Sequence, residues 1–240
     1  FLHSRRRHLS ANTSFALRST VVKVIRLPIL FQDEWLVAID KPPGFLVHPS
    51  DQPTSEDLVS MKILRDQIEE KIRVIHRLDQ PTSGVVIFAT NRGAARKLRE
   101  DFEKRRVKKR YLAMVHGHPA KEKWTCQIPL RKNPDSPEKS AETSFRVLEK
   151  KAQNLTLIEA FPHSGRFHQI RRHLLGSGHP IVGDFRYRDQ NLCKEFGEKM
   201  GIGTRMLLQA KSLEFRHPIT RTKVLVEAPT DPCIKDLAKI

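Results

Sequence analysis

The sequence predicts an α+β domain. Short apolar runs bounded by turn residues alternate with amphipathic helical stretches, there are no internal repeats, and 240 residues with 38% hydrophobic content suffice for one substantial core. The expected division is a basic N-terminal extension over 1–28 and one catalytic domain over 29–240.

Leu36 to Asp40 (LVAID) reads as a strand ending in the turn Lys41-Pro42-Pro43-Gly44, where proline removes a backbone donor and glycine permits reversal. Val85 to Thr90 (VVIFAT) is a continuous apolar run between Gly84 and Asn91, as in a strand buried on both faces. Asn91 then suits the N-cap of a helix with Ala94, Ala95, Leu98 and Phe102 on one side. YLAMVHG follows as a strand, Arg131 to Ser140 as a polar loop, and LTLIEA and VLVEA as further strands. A second helix is expected to start near Ser164 or Gly165, bury Phe167, Ile170 and Leu174, and stop at Gly176 and Gly178. This pattern does not give the strand order.

Forty-four Lys and Arg against 27 Asp and Glu leave a net charge of +17, which points to a polyanionic partner, nucleic acid or an anionic membrane surface. The plainer reading is a structural or solubilising basic surface. No run of 18 or more apolar residues occurs, so no spanning helix is expected. Cys126, Cys193 and Cys233 fit neither a disulfide framework nor a Cys-x-x-Cys zinc site, which suggests a reducing compartment. Residues 1–32 hold six Arg or Lys and no acid before Asp33, the bias of an organellar transit peptide. A mitochondrial or other organellar matrix is therefore expected, with a cytoplasmic protein carrying a basic RNA-binding arm as the alternative.

The segment richest in chemistry is His76-Arg77-Leu78-Asp79-Gln80-Pro81-Thr82-Ser83-Gly84. It sets a carboxylate beside two potential cations, on a Pro- and Gly-containing loop fixed by a buried strand. Standing alone, Asp79 would cap a turn and Arg77 would be solvated. The segment HRLDQPTSGVVIFATN, however, resembles the signature of RluA-type RNA pseudouridine synthases. LFQDEWLVAIDKPPGFLVHP, KKRYLAMVHG, HSGRFHQIRRHLLGSGHPIVGDFRY and RMLLQAKSLEFRHPIT resemble further blocks of that family in the same order, from about Ile29 to about Pro229.

The resemblance implies the pseudouridine synthase catalytic fold, a mixed, largely antiparallel central sheet flanked by helices and loops. It makes Asp79 the catalytic aspartate, Tyr111 the residue that packs on the uracil and Arg166 the cation that pairs with the aspartate. Arg77, with His76 beside it, falls where a side chain enters the RNA as the uridine flips out; Leu208 is a candidate for the apolar pocket wall. The flanking segments are most similar to the TruC-like branch, which acts on tRNA; ribosomal RNA is the competing substrate.

The chemistry suits these residue types. Breaking the C1′–N1 bond, turning the uracil and rejoining it through C5 needs no metal, cofactor or redox change. A carboxylate can attack covalently or remove the 2′ proton, and the sequence leaves both open. An adjacent arginine favours the ionised form, and a detached base needs an aromatic surface, stacking being worth about 1–3 kcal/mol per base. In the core, Tyr111 would be an ordinary strand residue; in a helix's first turn, Arg166 would be a solvated one.

Lys104 to Arg110 places six cations in seven positions directly before Tyr111. Lys108, Lys109 and Arg110 are expected on RNA phosphates, and Arg171, with Arg172 and His173, extends the basic character. The target must leave its stack to reach Asp79. RNA is the implied partner, with neither membrane nor obligate protein partner. A noncatalytic RNA-binding protein of the same fold is the main alternative. A metal-dependent nuclease using His116 and His118 lacks a nearby acid cluster, and a glycosidase would want a second carboxylate beside Asp79.

Overall fold

A computed structural model of the chain describes residues 25–50, 54 and 57–239. The basic stretch over 1–24, and with it most of the expected transit segment, lies outside the described residues. Leu27, assigned above to the extension, belongs to the folded part: it is buried, and its backbone N and O bond to the Gln67 side chain at 2.7 and 3.0 Å.

In chain order the elements are β1 (Ile29–Gln32), β2 (Leu36–Lys41), α1 (Ser60–Ile68), β3 (Arg73–Val74), β4 (Ser83–Ala89), α2 (Arg92–Glu103), β5 (Lys108–His116), β6 (Lys123–Cys126), β7 (Thr143–Lys151) and β8 (Leu155–Pro162). There follow α3 (Gln169–Gly176), α4 (Gln190–Lys199), β9 (Leu208–Arg216), β10 (Lys223–Glu227) and α5 (Pro232–Leu237). The strands form one sheet in the order β1-β2-β4-β9-β5-β8-β7-β6, with β3 on β4 and β10 on β9. Every pairing is antiparallel except β4 with β9, which meet in parallel over only Ser83↔Gln209 and Gly84↔Ala210. The largely antiparallel α+β architecture expected from the sequence is the one found.

Both faces of the sheet are covered, which explains the unbroken apolar runs. Val85 and Ile87 of β4 pack with Leu98 of α2, whereas Val86 and Phe88 pack on the opposite face with Leu64 of α1. In the other half of the sheet, Ala113 and Val115 of β5 meet Ile170 and Leu174 of α3, while Leu112 and Met114 meet Ile234 and Leu237 of α5. Alternate side chains of a strand point to opposite faces, so a strand covered twice must be apolar throughout.

Asn91 caps α2 as expected, its Oδ1 accepting from Ala94 N at 2.8 Å. The second expected helix starts later than its apolar spacing suggests. The Gln169 side chain occupies the backbone before it: Oε1 accepts from Arg166 N at 3.0 Å and Nε2 donates to Glu142 O at 2.8 Å. His168 then turns through the left-handed region at φ 52°, and α3 begins only at Gln169. Phe167 is consequently not a core residue of a helix, and Arg166 is not in a first helical turn. No helix among the described residues is long and apolar enough to cross a membrane.

Candidate active site

The Asp79 loop is held from below by Lys41, the last residue of β2. Its side chain is 0% exposed, and Nζ donates to the carbonyls of Pro42 (2.8 Å), Phe45 (2.8 Å) and Gln80 (3.1 Å). Burial pulls this ammonium down to about 7, opposed by the negative charge of Asp79. Gly44 N donates to Gln80 O at 2.8 Å and Gln80 Nε2 to Gly44 O at 3.0 Å, so the Pro-Pro-Gly turn and the Asp79 loop are laced together. Thr82 N closes the turn onto Asp79 O at 3.0 Å.

The sheet brings the other components to this loop. At Gly84, φ is +107° and a Cβ would lie 2.2 Å from Ala210 O, so only glycine lets β4 approach β9 here. Ala210 is also the β9 partner of Tyr111, whose β8 partner is Ala160. The Asp79 loop thus enters the sheet level with Tyr111, two strands away.

Asp79, with 25% of its side chain exposed, opens into a cleft of about 700 Å³ also lined by His48, Arg77, Phe167, His168, Arg171 and Met206. The cation that meets it is Arg171, one terminal nitrogen of which lies 3.3 Å from Asp79 Oδ2. Arg171 is 5% exposed and is fixed by a two-point pair with the 2% exposed Asp184, at 2.8 Å through Nε and 2.7 Å through the other terminal nitrogen. Burial alone would lower its pKa, but the bonds and charge of Asp184, with the charge of Asp79, carry it above the ordinary arginine value. The Tyr187 ring lies 5.1 Å from the guanidinium.

His168 adds a neutral group. Its Nε2 is 3.7 Å from Asp79 Oδ2 and its Nδ1 is 2.9 Å from the Tyr187 hydroxyl. Burial, with the Arg171 and Arg186 charges behind it, depresses the imidazole to about 4 against the pull of Asp79. Phe167 stacks on His168 at 3.7 Å between centroids and also faces the cleft. Asp79 Oδ2 therefore has the Arg171 guanidinium and the His168 ring as nitrogen neighbours, whereas Oδ1 has no hydrogen-bond partner among the described residues.

Several expected residues are placed differently. Arg166 does not reach Asp79; its Nε donates to Ser140 O at 3.2 Å, because the Gln169-bound loop directs it toward the 131–140 segment. Tyr111 is half-buried against Leu78, Ala210 and Leu208, near enough that Asp79, after burial itself, helps raise its phenol pKa. The phenyl rings that line the cleft are those of Phe167 and Phe185. Arg77 is exposed at the rim, 3.4 Å from His48 Nε2.

His76 turns the other way: it stacks on Phe102 at 4.6 Å, accepts from Ile87 N at 3.2 Å, and is pushed by burial to about 3, so it is a neutral packing residue and not a substrate contact. Leu208 is core beneath the site, and Met206 lines the cleft instead. The basic run is divided by strand alternation. Lys108 pairs with Glu214 at 2.9 Å, and Arg110 with Glu159 and Glu227, both at 3.1 Å, on one face, whereas Lys109 turns to the other face and donates to Ser164 O at 2.6 Å. Arg110 is thereby committed to carboxylates and is not free for phosphate. His116 packs on Phe196 and His118 Nδ1 lies 3.0 Å from Thr156 Oγ1, so the two do not converge on one site.

Lys41, His168, Asp184 and Tyr187 were not singled out from the sequence. A lysine closing an apolar strand and a lone acid in the apolar turn PIVGDF were the available signals for the first and third.

A family model described as RNA pseudouridylate synthase matches residues 35–175. Among curated relatives, tRNA pseudouridine synthase C of Haemophilus ducreyi is 38% identical over 86% of this chain and 92% of its own. The dual-specificity RNA pseudouridine synthase RluA of Escherichia coli is 35% identical over 85% of this chain and 94% of its own. Among solved structures, human RNA pseudouridylate synthase domain containing 1 superposes with TM-score 0.72 at 27% identity over 88% of both chains. Human RNA pseudouridylate synthase domain containing 4 gives 0.70 at 25%, over 88% of this chain and 93% of that one. Matches of this extent, over a carboxylate cleft on a shared fold, make the chain a member of the RluA-type RNA pseudouridine synthases, a family of isomerases.

Proposed function

We propose that the chain isomerises a uridine of tRNA to pseudouridine, with Asp79 as the carboxylate that meets the ribose. The observation that carries the assignment is a carboxylate in an open cleft with one oxygen held by the buried Arg171–Asp184 pair and the other without a hydrogen-bond partner among the described residues. Oδ1 is the oxygen available to substrate, either to bond C1′ or to take the 2′ proton. Arg171 fixes the carboxylate and favours its charge. The uracil departs as the C1′–N1 bond breaks, turns within the cleft against Phe167 with Tyr111 beneath, and rejoins C1′ through C5 as the C1′–Oδ1 bond breaks or, in the other course, as Asp79 returns the proton to C2′. The C5 proton is then lost and N1 takes one up, so atoms balance without a cofactor. Arg77, exposed at the rim, is suited to fill the gap left by an extruded nucleotide.

The preference for tRNA over ribosomal RNA is supported by the relative named a tRNA enzyme, whose identity is 38% against 35% for the dual-specificity one. Mapping pseudouridine in tRNA and rRNA from cells with and without the gene tests it. One or a few tRNA sites should be lost, restored by the wild type and not by Asp79→Asn. Rescue by Asp79→Asn would remove the catalytic assignment, and loss confined to rRNA would remove the tRNA assignment. Residence in an organelle rests on the acid-free basic stretch over 1–32, and a fluorescent fusion that stays in the cytoplasm would contradict it.

A further inference from the structure

The segment from His163 to His168 lies between two clefts. Phe167 and His168 wall the one holding Asp79, whereas His163 and Ser164 wall a second, of about 410 Å³, whose other sides are Arg105, Val107, Lys108, Lys109, Ser140, Glu142, Phe161 and Pro162. Its charges are unevenly matched. Lys108 is answered by Glu214, and Glu142 is engaged by Gln127 at 2.6 Å with His163 at 3.7 Å. Lys109 and Arg105 have no carboxylate partner among the described residues.

Lys109 is drawn inward and lines the cleft together with Arg105, and burial, with the Arg105 charge second, lowers its ammonium to about 8. Of the three donors on Lys109, one is used among the described residues, on Ser164 O. Arg105, exposed, lines the same cleft just past the end of α2, where its backbone takes a left-handed φ of 57° that few non-glycine residues adopt. Phe161, Pro162 and Val107 supply apolar wall beside these donors.

We infer that this second cleft is a subsite for the RNA strand outside the flipped nucleotide, with Arg105 and Lys109 binding one phosphodiester and Phe161 packing against the attached nucleoside. The inference rests on the reading of the chain as an RNA-modifying enzyme and adds the course of the strand. Two uncompensated cations gain most from a phosphate, and a phosphate gains most where solvent is partly excluded.

The test replaces Arg105 with Asn, which tolerates the left-handed backbone, and uses Lys97→Gln on the exposed face of α2, about two turns back, as the charge-matched control. Turnover of tRNA transcripts is followed at several KCl concentrations. For Arg105→Asn, KM should rise about tenfold with kcat unchanged, and the slope of log affinity on log salt should fall by about one; Lys97→Gln should move neither. Phosphate-ethylation interference, read by binding and independent of turnover, should reveal one phosphate whose modification weakens the wild type and is without effect in Arg105→Asn. Equal effects of the two variants, a loss in kcat alone, or an unchanged interference pattern would overturn the subsite. A wild-type protein that binds RNA with this pattern yet modifies none would instead overturn the catalytic reading.

Discussion

Replacing Arg171 by Lys separates the arrangement in the structure from the one the sequence suggests. The guanidinium makes three charge-assisted contacts: two with Asp184 at 2.8 and 2.7 Å and one with Asp79 at 3.3 Å. A lysine ammonium keeps the charge but cannot grip Asp184 at two points and still reach Asp79. A charge-assisted hydrogen bond is worth about 1.5–3 kcal/mol, and one at 3.3 Å, longer than the usual 2.7–2.9 Å, belongs at the lower end. At about 1.4 kcal/mol per tenfold in rate, single-turnover conversion should slow by roughly 10- to 30-fold. Stability should fall by about 2–3 kcal/mol, because Asp184, 2% exposed, loses part of its partner. The rate is read as hydrogen released from C5 of labelled RNA with enzyme in excess, the stability by urea unfolding. Arg166→Gln, which among the described residues loses the side-chain bond to Ser140 O, should keep the rate within about threefold. If Arg166→Gln slowed the reaction more than Arg171→Lys, the assignment of Arg171 as partner of Asp79 would be refuted.

Two further outcomes follow from the fold. His76 is held neutral in the protein at about 3, against 6.5 unfolded, so between those values the unfolded chain binds a proton that the folded one does not. Stability must therefore drop as pH falls below about 6.5. By pH 5 the His76 share reaches about 2 kcal/mol, and His76→Gln should flatten the pH dependence of urea unfolding by that order; an unaltered slope would contradict the burial argument. Gly84→Ala forces a Cβ to within 2.2 Å of Ala210 O at φ +107°, combining backbone strain with overpacking. Thermal unfolding should show a loss of about 3–5 kcal/mol or no cooperative transition, and a near-neutral effect would mean that β4 and β9 can part freely.

Much of this protein is legible along the chain because its signals are local. The Asn91 cap, the apolar β4 run and the proline-rich turn after β2 each depend on a few neighbouring residues, and each was found where expected. The family motif likewise identified the loop that carries Asp79. The pairing of Arg166 with Asp79 is implied by the resemblance, carried over by position, and the structure gives that place to Arg171: a glutamine side chain and a left-handed histidine delay the helix to Gln169, so Arg166 stays on the preceding loop and turns to Ser140 O. The basic run before Tyr111 also reads as one patch in sequence, although alternation on β5 sends Lys108 and Arg110 to carboxylates and Lys109 toward a cleft.

By itself, then, the sequence determined the class of fold and the elements with strong local pattern, and it pointed to the loop that brings Asp79 to the cleft. Only the tertiary structure decided which arginine faces that aspartate, that Asp184 and Lys41 support the pair, and that His76 points into the core. The reason is that these contacts join residues distant in the chain, Asp79 with Arg171 and Lys41 with Gln80 among them, and contacts at such separation are governed by packing rather than by any neighbouring residue's propensity.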